Sequence, residues 1–72
     1  MIFSERLIQL RKERNLTQKK VAEGIKMTEQ AYQKYEYNKR EPAYQKLIAI
    51  AEYFNVSIDY LVGRTENPEV NR

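Results

Sequence analysis

Four residues in one short stretch carry most of the polar chemistry available to this chain. Glu29, Gln30, Gln33 and Lys34 fall, at helical spacing, on one face together with Tyr37, while Ala31, Tyr32 and Tyr35 fall on the opposite face. The outer face offers a carboxylate, two carboxamides and an ammonium on long stems, with almost no aliphatic surface. Such groups exchange hydrogen bonds with planar edges, and they suit the donor and acceptor pattern of base edges in a major groove. Covalent catalysis is poorly served by comparison. The chain has no histidine and no cysteine, which removes the commonest general base and metal ligand, and with them disulfides and a thiolate nucleophile. Serine occurs only at positions 4 and 57, aspartate only at 59, and the two glycines, 24 and 63, do not make a phosphate loop. The expectation is recognition without an enzyme activity, a metal or a cofactor.

The elements that must position these residues can be read from helix start and stop signals. Thr17 is a good N-cap, since its hydroxyl can accept from a free backbone N–H of the first turn. Leu16 and Val21 flank it at the positions of a hydrophobic staple. Met27, Thr28 and Tyr32 repeat this grammar, as do Val56, Ser57 and Leu61. Two short helices, about 17–25 and 28–36, are thus joined by a tight turn over Gly24, Ile25, Lys26 and Met27. Before them, Phe3, Leu7 and Leu10 mark an amphipathic helix over 3–14, with Arg6, Arg11, Lys12 and Arg14 on its flank. After them, Tyr37 to Pro42 has no apolar stripe and reads as a loop. Leu47, Ile48, Ile50, Ala51 and Phe54 then follow helical spacing over 43–54, and a short fifth helix covers 58–62. Asn15, Asn38 and Asn55 are placed to take the left-handed conformation that ends helices, and Gly63 to stop the last one.

This pattern predicts an all-α domain over residues 1–63, followed by a polar, flexible tail over 64–72. Its expected core is Phe3, Leu7, Leu10, Leu16, Val21, Ala22, Ile25, Ala31, Tyr32, Tyr35, Leu47, Ile48, Ala51, Phe54, Val56 and Leu61. With 72 residues and a net charge of +3, the chain forms one small domain of modest stability. Its charge is unevenly spread. Residues 1–40 hold ten Lys/Arg against five Glu, and residues 41–72 hold three against five acidic residues. The basic portion contains the helix pair, as a polyanion-binding side would. No apolar run reaches the ~20 residues of a membrane span, and the N-terminus lacks signal-peptide character, so a cytoplasmic location is expected.

Three stretches, RLIQLRKERNLTQKKVA, MTEQAYQKYEYNKREP and LIAIAEYFNVSIDYLVG, occur in this order and cover about residues 3–63. In them the chain resembles the Cro and phage-repressor (XRE-like) class of helix-turn-helix domains. The resemblance implies a five-helix, lambda-repressor-like fold with a central helix-turn-helix. It also implies a homodimeric, sequence-specific binder of double-stranded DNA, a transcriptional regulator and most often a repressor, acting on a two-fold symmetric operator. Carried onto this sequence, Glu29, Gln30, Gln33 and Lys34 become base-reading residues. Gln18 sits at the groove edge, near a phosphate or the first base, and Thr17, Tyr37, Lys39 and Arg40 hold phosphates. Arg11 and Glu36 match a pair that forms a buried ion pair in the family. The chain departs from the family pattern at Lys26 and Asn38, where glycine is usual, and at Ala43, where a Ser or Thr cap is usual.

Tyr32 and Tyr35 lie on the apolar face, so core packing outweighs a base-stacking role for single strands. Tyr37 and Tyr44 lie near the loop, where either hydroxyl can reach a phosphate. Ile58, Tyr60 and Val62 are more apolar than a short terminal helix needs, which points to a dimer contact. Tyr53 joins Tyr60 as a candidate for a partner surface. The competing reading keeps the same fold but gives it to a protein-interaction module, of antitoxin or coactivator type, with a regulatory protein partner.

Overall fold

Each helix of this protein ends on a signal contained in a few residues, and all but one begin on one. The computed structural model describes residues 2–70, which form five helices and, among them, no strand: α1 Phe3–Glu13, α2 Gln18–Gly24, α3 Glu29–Glu36, α4 Tyr44–Phe54 and α5 Ile58–Leu61. Three of the five starts are capped by a hydroxyl. Thr17 Oγ1 accepts from the Lys20 N–H at 3.0 Å, Thr28 Oγ1 from the Ala31 N–H at 3.1 Å, and Ser57 Oγ from the Tyr60 N–H at 3.0 Å. At α1, Glu5 instead folds back to accept from the Ile2 N–H at 3.2 Å. Ala43, before α4, supplies no cap.

All five helices end the same way. A left-handed residue follows each one: Asn15, Lys26, Asn38, Asn55 and Gly63, with φ of 55°, 60°, 58°, 55° and 83°. The next N–H then returns to a carbonyl five residues back, from Leu16 to Arg11, Met27 to Ala22, Lys39 to Lys34, Val56 to Ala51 and Arg64 to Asp59. This is the Schellman arrangement, which satisfies carbonyls the helix leaves open. Two long cations add to it: Lys46 Nζ donates to the Ile25 carbonyl at 3.0 Å, and Arg14 donates to the Phe54 carbonyl at 2.9 Å.

The core comprises Leu7, Leu10, Val21, Ala22, Ile25, Tyr32, Tyr35, Ile50, Ala51, Phe54, Val56, Tyr60 and Leu61. Phe3, Leu16 and Leu47 pack against it half-buried, and Ala31 is likewise half-buried. In α4 the inward stripe is Leu47, Ile50, Ala51 and Phe54, the i, i+3, i+4, i+7 set. Ile50 is therefore fully buried, and Ile48, expected in the core, is turned one step aside into a surface groove.

Two further expectations are corrected. Arg6 is not on the flank of α1 but 1% exposed, with its guanidinium 3.7 Å from the centroid of the Tyr60 ring. Tyr60 is thereby drawn into the core at 8% exposure instead of standing on a dimer surface. The segment after α5 makes two contacts with the helical domain: Glu66 pairs with Arg6 at 3.2 Å, and the Pro68 carbonyl accepts from the Ser57 N–H at 3.0 Å. The last two residues of the tail lie outside the described residues.

Glycine and its absence both have local causes in the turn between α2 and α3. Gly24, the last residue of α2, has no room for a side chain, because a Cβ there would collide with the ring of Tyr53, which stands edge-on to Phe54 at 5.1 Å. Two residues later Lys26 adopts φ 60°, a conformation that costs a residue with a Cβ roughly 1–2 kcal/mol. Thermal melts of two variants test this account. Gly24→Ala, which would raise stability by up to about 1 kcal/mol in an unobstructed helix, is expected to lower the melting temperature. Lys26→Gly is expected to raise it by several degrees, the equivalent of about 1 kcal/mol in a domain of this size. A Gly24→Ala protein melting at or above the parent would mean that the Tyr53 ring yields freely.

Candidate nucleic-acid interface

The polar face of α3 is aimed outward by what its other face must bury. Tyr32, Tyr35 and Glu36 point inward and are nearly inaccessible. Tyr35 meets Phe3 of α1 edge-on, ring centroids 6.3 Å apart. With that side anchored, Gln30 and Lys34, one helical turn apart, are exposed, and Glu29 and Gln33 are half-exposed beside them. Glu29 opens the helix, where a negative charge suits the free N–H groups. Lys39, Arg40 and Tyr37 follow α3 and are exposed, Tyr37 at 56%; Tyr44 is at 71%. Thr17 is exposed at the start of α2, with its hydroxyl oxygen engaged in capping.

Beneath this surface lies a buried carboxylate. Glu36 Oε2 accepts from Arg11 Nε at 2.6 Å and Oε1 from Arg11 Nη2 at 3.0 Å, a two-pronged pairing between the ends of α1 and α3. Arg11 also donates to the Leu16 carbonyl at 3.1 Å. The Tyr32 hydroxyl donates to Glu36 Oε2, and Gln18 Nε2 donates to Oε1 at 3.0 Å. Burial would push the Glu36 carboxyl up, but the donors Arg11, Tyr32 and Gln18 outweigh it and hold the group below its ordinary range. Arg11 is raised, first by its hydrogen bonds to Glu36, and Tyr32 is raised, first by burial and then by donating to the same carboxylate. The ion pair expected from the resemblance is present.

One connection has no counterpart in the sequence reading. Gln33 Nε2 donates to Gln18 Oε1 at 3.0 Å, so an unbroken path runs from Arg11 through Glu36 and Gln18 to Gln33 on the polar face. Gln18, expected at the groove edge, thus has both ends of its carboxamide in use. Nothing in the spacing of residues 18, 33 and 36 signals this, because it depends on how two helices cross. Tyr44, Lys19 and Lys20 are further exposed residues, unassigned as base readers, on or near the helix pair.

On another part of the molecule, α4, α5 and the final segment enclose a groove of about 640 Å³. Its apolar lining includes Ile48, Ala51, Val56, Ile58 and Val70. Ile58 and Val62 are half-buried at this end of the domain. The described residues contain no cluster of side chains arranged to hold a metal ion, and no helix long and apolar enough to cross a membrane.

Residues 7–61 match a family model described as helix-turn-helix. The chain is 42% identical over 69 residues to the uncharacterized HTH-type transcriptional regulator YqaE of Bacillus subtilis (strain 168), covering 96% of this chain and 60% of that protein. It is 38% identical over 69 residues to the cryptic phage CTXphi transcriptional repressor RstR of Vibrio cholerae, covering 96% of this chain and 62% of that protein. It therefore spans about three-fifths of the length of these relatives. The fold also aligns with the P22 c2 repressor protein in complex with synthetic operator 9T, with TM-score 0.81 over 86% of this chain and 94% of that one; at 24% identity this likeness is one of fold.

The charge state of Glu36 makes folding depend on pH with a definite sign. A carboxyl held below its ordinary value of 4.5 in the folded state contributes fully above that value, and the contribution is lost as pH falls through the depressed one. Glu36→Gln is expected to cost about 3–5 kcal/mol at pH 7, because Arg11 is left without its charge partner. The gap between parent and variant, read from urea unfolding at a series of pH values, is expected to narrow below 4.5. A gap that stays constant as pH falls well below 4.5 would show that the carboxylate is not held in its charged form.

Proposed function

The chain belongs to the helix-turn-helix family, and on that premise we propose that it is a sequence-specific binder of double-stranded DNA that regulates transcription as a homodimeric repressor. The observation that carries this reading is the division of α3 into two faces. Tyr32, Tyr35 and Glu36 anchor it, and Gln30 and Lys34 are left exposed with no competing structural role. In a major groove, Gln30 has the geometry to pair with adenine N6 and N7, and Lys34 to donate to guanine O6 and N7. Glu29 accepts from cytosine N4 or rejects unsuitable bases. Lys39, Arg40, Tyr37 and Thr17 hold phosphates on either side and supply most of the affinity without reading sequence. Repression follows from occupancy: a domain bound over a promoter excludes polymerase.

The groove beside α5 supports the dimer. Ile58 lines it and Val62, which follows α5, is half-buried, and a second copy covering them by two-fold symmetry would extend a small core. The same groove is the one feature that favours the competing reading, a protein-interaction module with a regulatory partner.

Selection of duplexes from a random pool at about 0.1–0.15 M salt, where non-specific binding is weak, tests the proposal. Enrichment of a two-fold symmetric motif with half-sites about one helical turn apart is the expected result; a folded protein that enriches nothing overturns it in favour of the interaction module. Within a positive result, Gln30→Ala is expected to change the preferred base at one position of each half-site. Arg40→Ala is expected to weaken all duplexes alike and to flatten the salt dependence by about one unit. A Gln30→Ala protein that ranks sequences as the parent does would remove Gln30 from the base-reading set.

A further inference from the structure

The path from Glu36 to Gln33 has a direction, and the direction follows from chemistry at its buried end. Glu36, paired through both oxygens with the Arg11 guanidinium at 2.6 and 3.0 Å, can only accept hydrogen bonds. Gln18 must therefore turn its amide nitrogen to Glu36, as it does at 3.0 Å. Its oxygen then faces Gln33, which must in turn present its own nitrogen, as it does at 3.0 Å. Carboxamides are otherwise free to exchange the positions of oxygen and nitrogen, and only their partners decide between the two orientations. Here one buried charge decides for both.

We propose that Glu36, acting through Gln18 as a positioning residue, sets the orientation of the Gln33 carboxamide so that Gln33 reads a base carrying an exocyclic amino group. This rests on the reading of α3 as the helix that enters the major groove. With one N–H committed to Gln18, Gln33 offers its carbonyl oxygen, with the second N–H beside it. Adenine, with an N6 donor and an N7 acceptor, and cytosine, with an N4 donor, satisfy that oxygen. At the same place guanine O6 and thymine O4 would confront the oxygen with another acceptor, and only the one remaining N–H could meet them, from a less favourable position. Specificity at this position thus originates beyond two intervening side chains, in the buried Glu36.

The test combines duplex selection with three variants. Gln33→Ala first identifies the half-site position that Gln33 reads, as the one whose preference disappears. In the parent, that position is expected to favour adenine or cytosine over guanine or thymine by at least about fivefold, at the low end of what a good side-chain contact to a base provides. Gln18→Ala frees the carboxamide to turn, and the preference is expected to fall to within about twofold with the other positions unchanged. Gln18→Lys introduces an ammonium that can only donate. It draws the Gln33 oxygen toward itself, and the preference is expected to invert toward guanine or thymine. A role in stability alone would change affinity for all sequences and move no single base.

Melting curves establish that each variant is folded; were Gln18→Ala to unfold, the inversion by Gln18→Lys would decide. A parent motif with guanine or thymine at the position mapped by Gln33→Ala overturns the proposal and leaves DNA recognition intact. So does a preference that ignores both Gln18 variants, or a motif in which Gln33→Ala changes no position. A folded parent that enriches no duplex overturns the DNA-binding reading, and the proposal with it.

Discussion

A single buried carboxylate sets the terms on which three helices meet. Removing Glu36 from water carries a desolvation cost of several kcal/mol, and a buried ion pair often does no better than break even against apolar packing. The compensation is collected from α1 through Arg11, from α2 through Gln18 and from α3 itself through Tyr32. Such an arrangement tolerates little displacement, since each donor has direction as well as distance. The consequence is geometric. Only one rotation of α3 about its axis brings Glu36 and Tyr32 to these partners, and that rotation leaves Gln30 and Lys34 outward. Anchoring and presentation are two results of the same constraint.

Much of the architecture was legible because its signals are local. A hydroxyl before a helix and an asparagine after it act within a few residues, so Thr17, Thr28, Ser57, Asn15, Asn38 and Asn55 could be placed without knowing what packs on what. The polar face of α3 was legible for the same reason, being a matter of helical spacing. What escaped the reading required knowledge of a neighbour. Arg6 shares the stripe of Phe3, Leu7 and Leu10, but its charge assigned it to the surface; only the Tyr60 ring and Glu66, far along the chain, make burial acceptable. Tyr60 was read as surplus apolar area for the converse reason. The hydrogen bond between Gln18 and Gln33 joins two residues whose types would suit solvent equally well.

The Arg6 site also shows how a small domain uses a cation as packing material. Its guanidinium lies over an aromatic face, donates to Gln9 at 3.4 Å and Glu66 at 3.2 Å, and leaves its Nε without a partner among the described residues. Planar, weakly hydrated and always charged, arginine suits such a place where lysine would not. It holds together α1, α5 and the segment that follows, on the opposite side of α1 from Arg11. The two arginines divide the labour, one joining the ends of the chain and the other orienting the helix pair.

The repeated left-handed stops have a bearing on how fast this chain reaches its fold. Each corner closes on a hydrogen bond between residues only five apart, so forming the turn itself requires little loop-closure entropy. Helical domains assembled from such near-neighbour contacts fold on the microsecond-to-millisecond scale. Closing the corners is then not the slow step of folding; that falls to the docking of α1 on α3 and α5, which lie far along the chain from it.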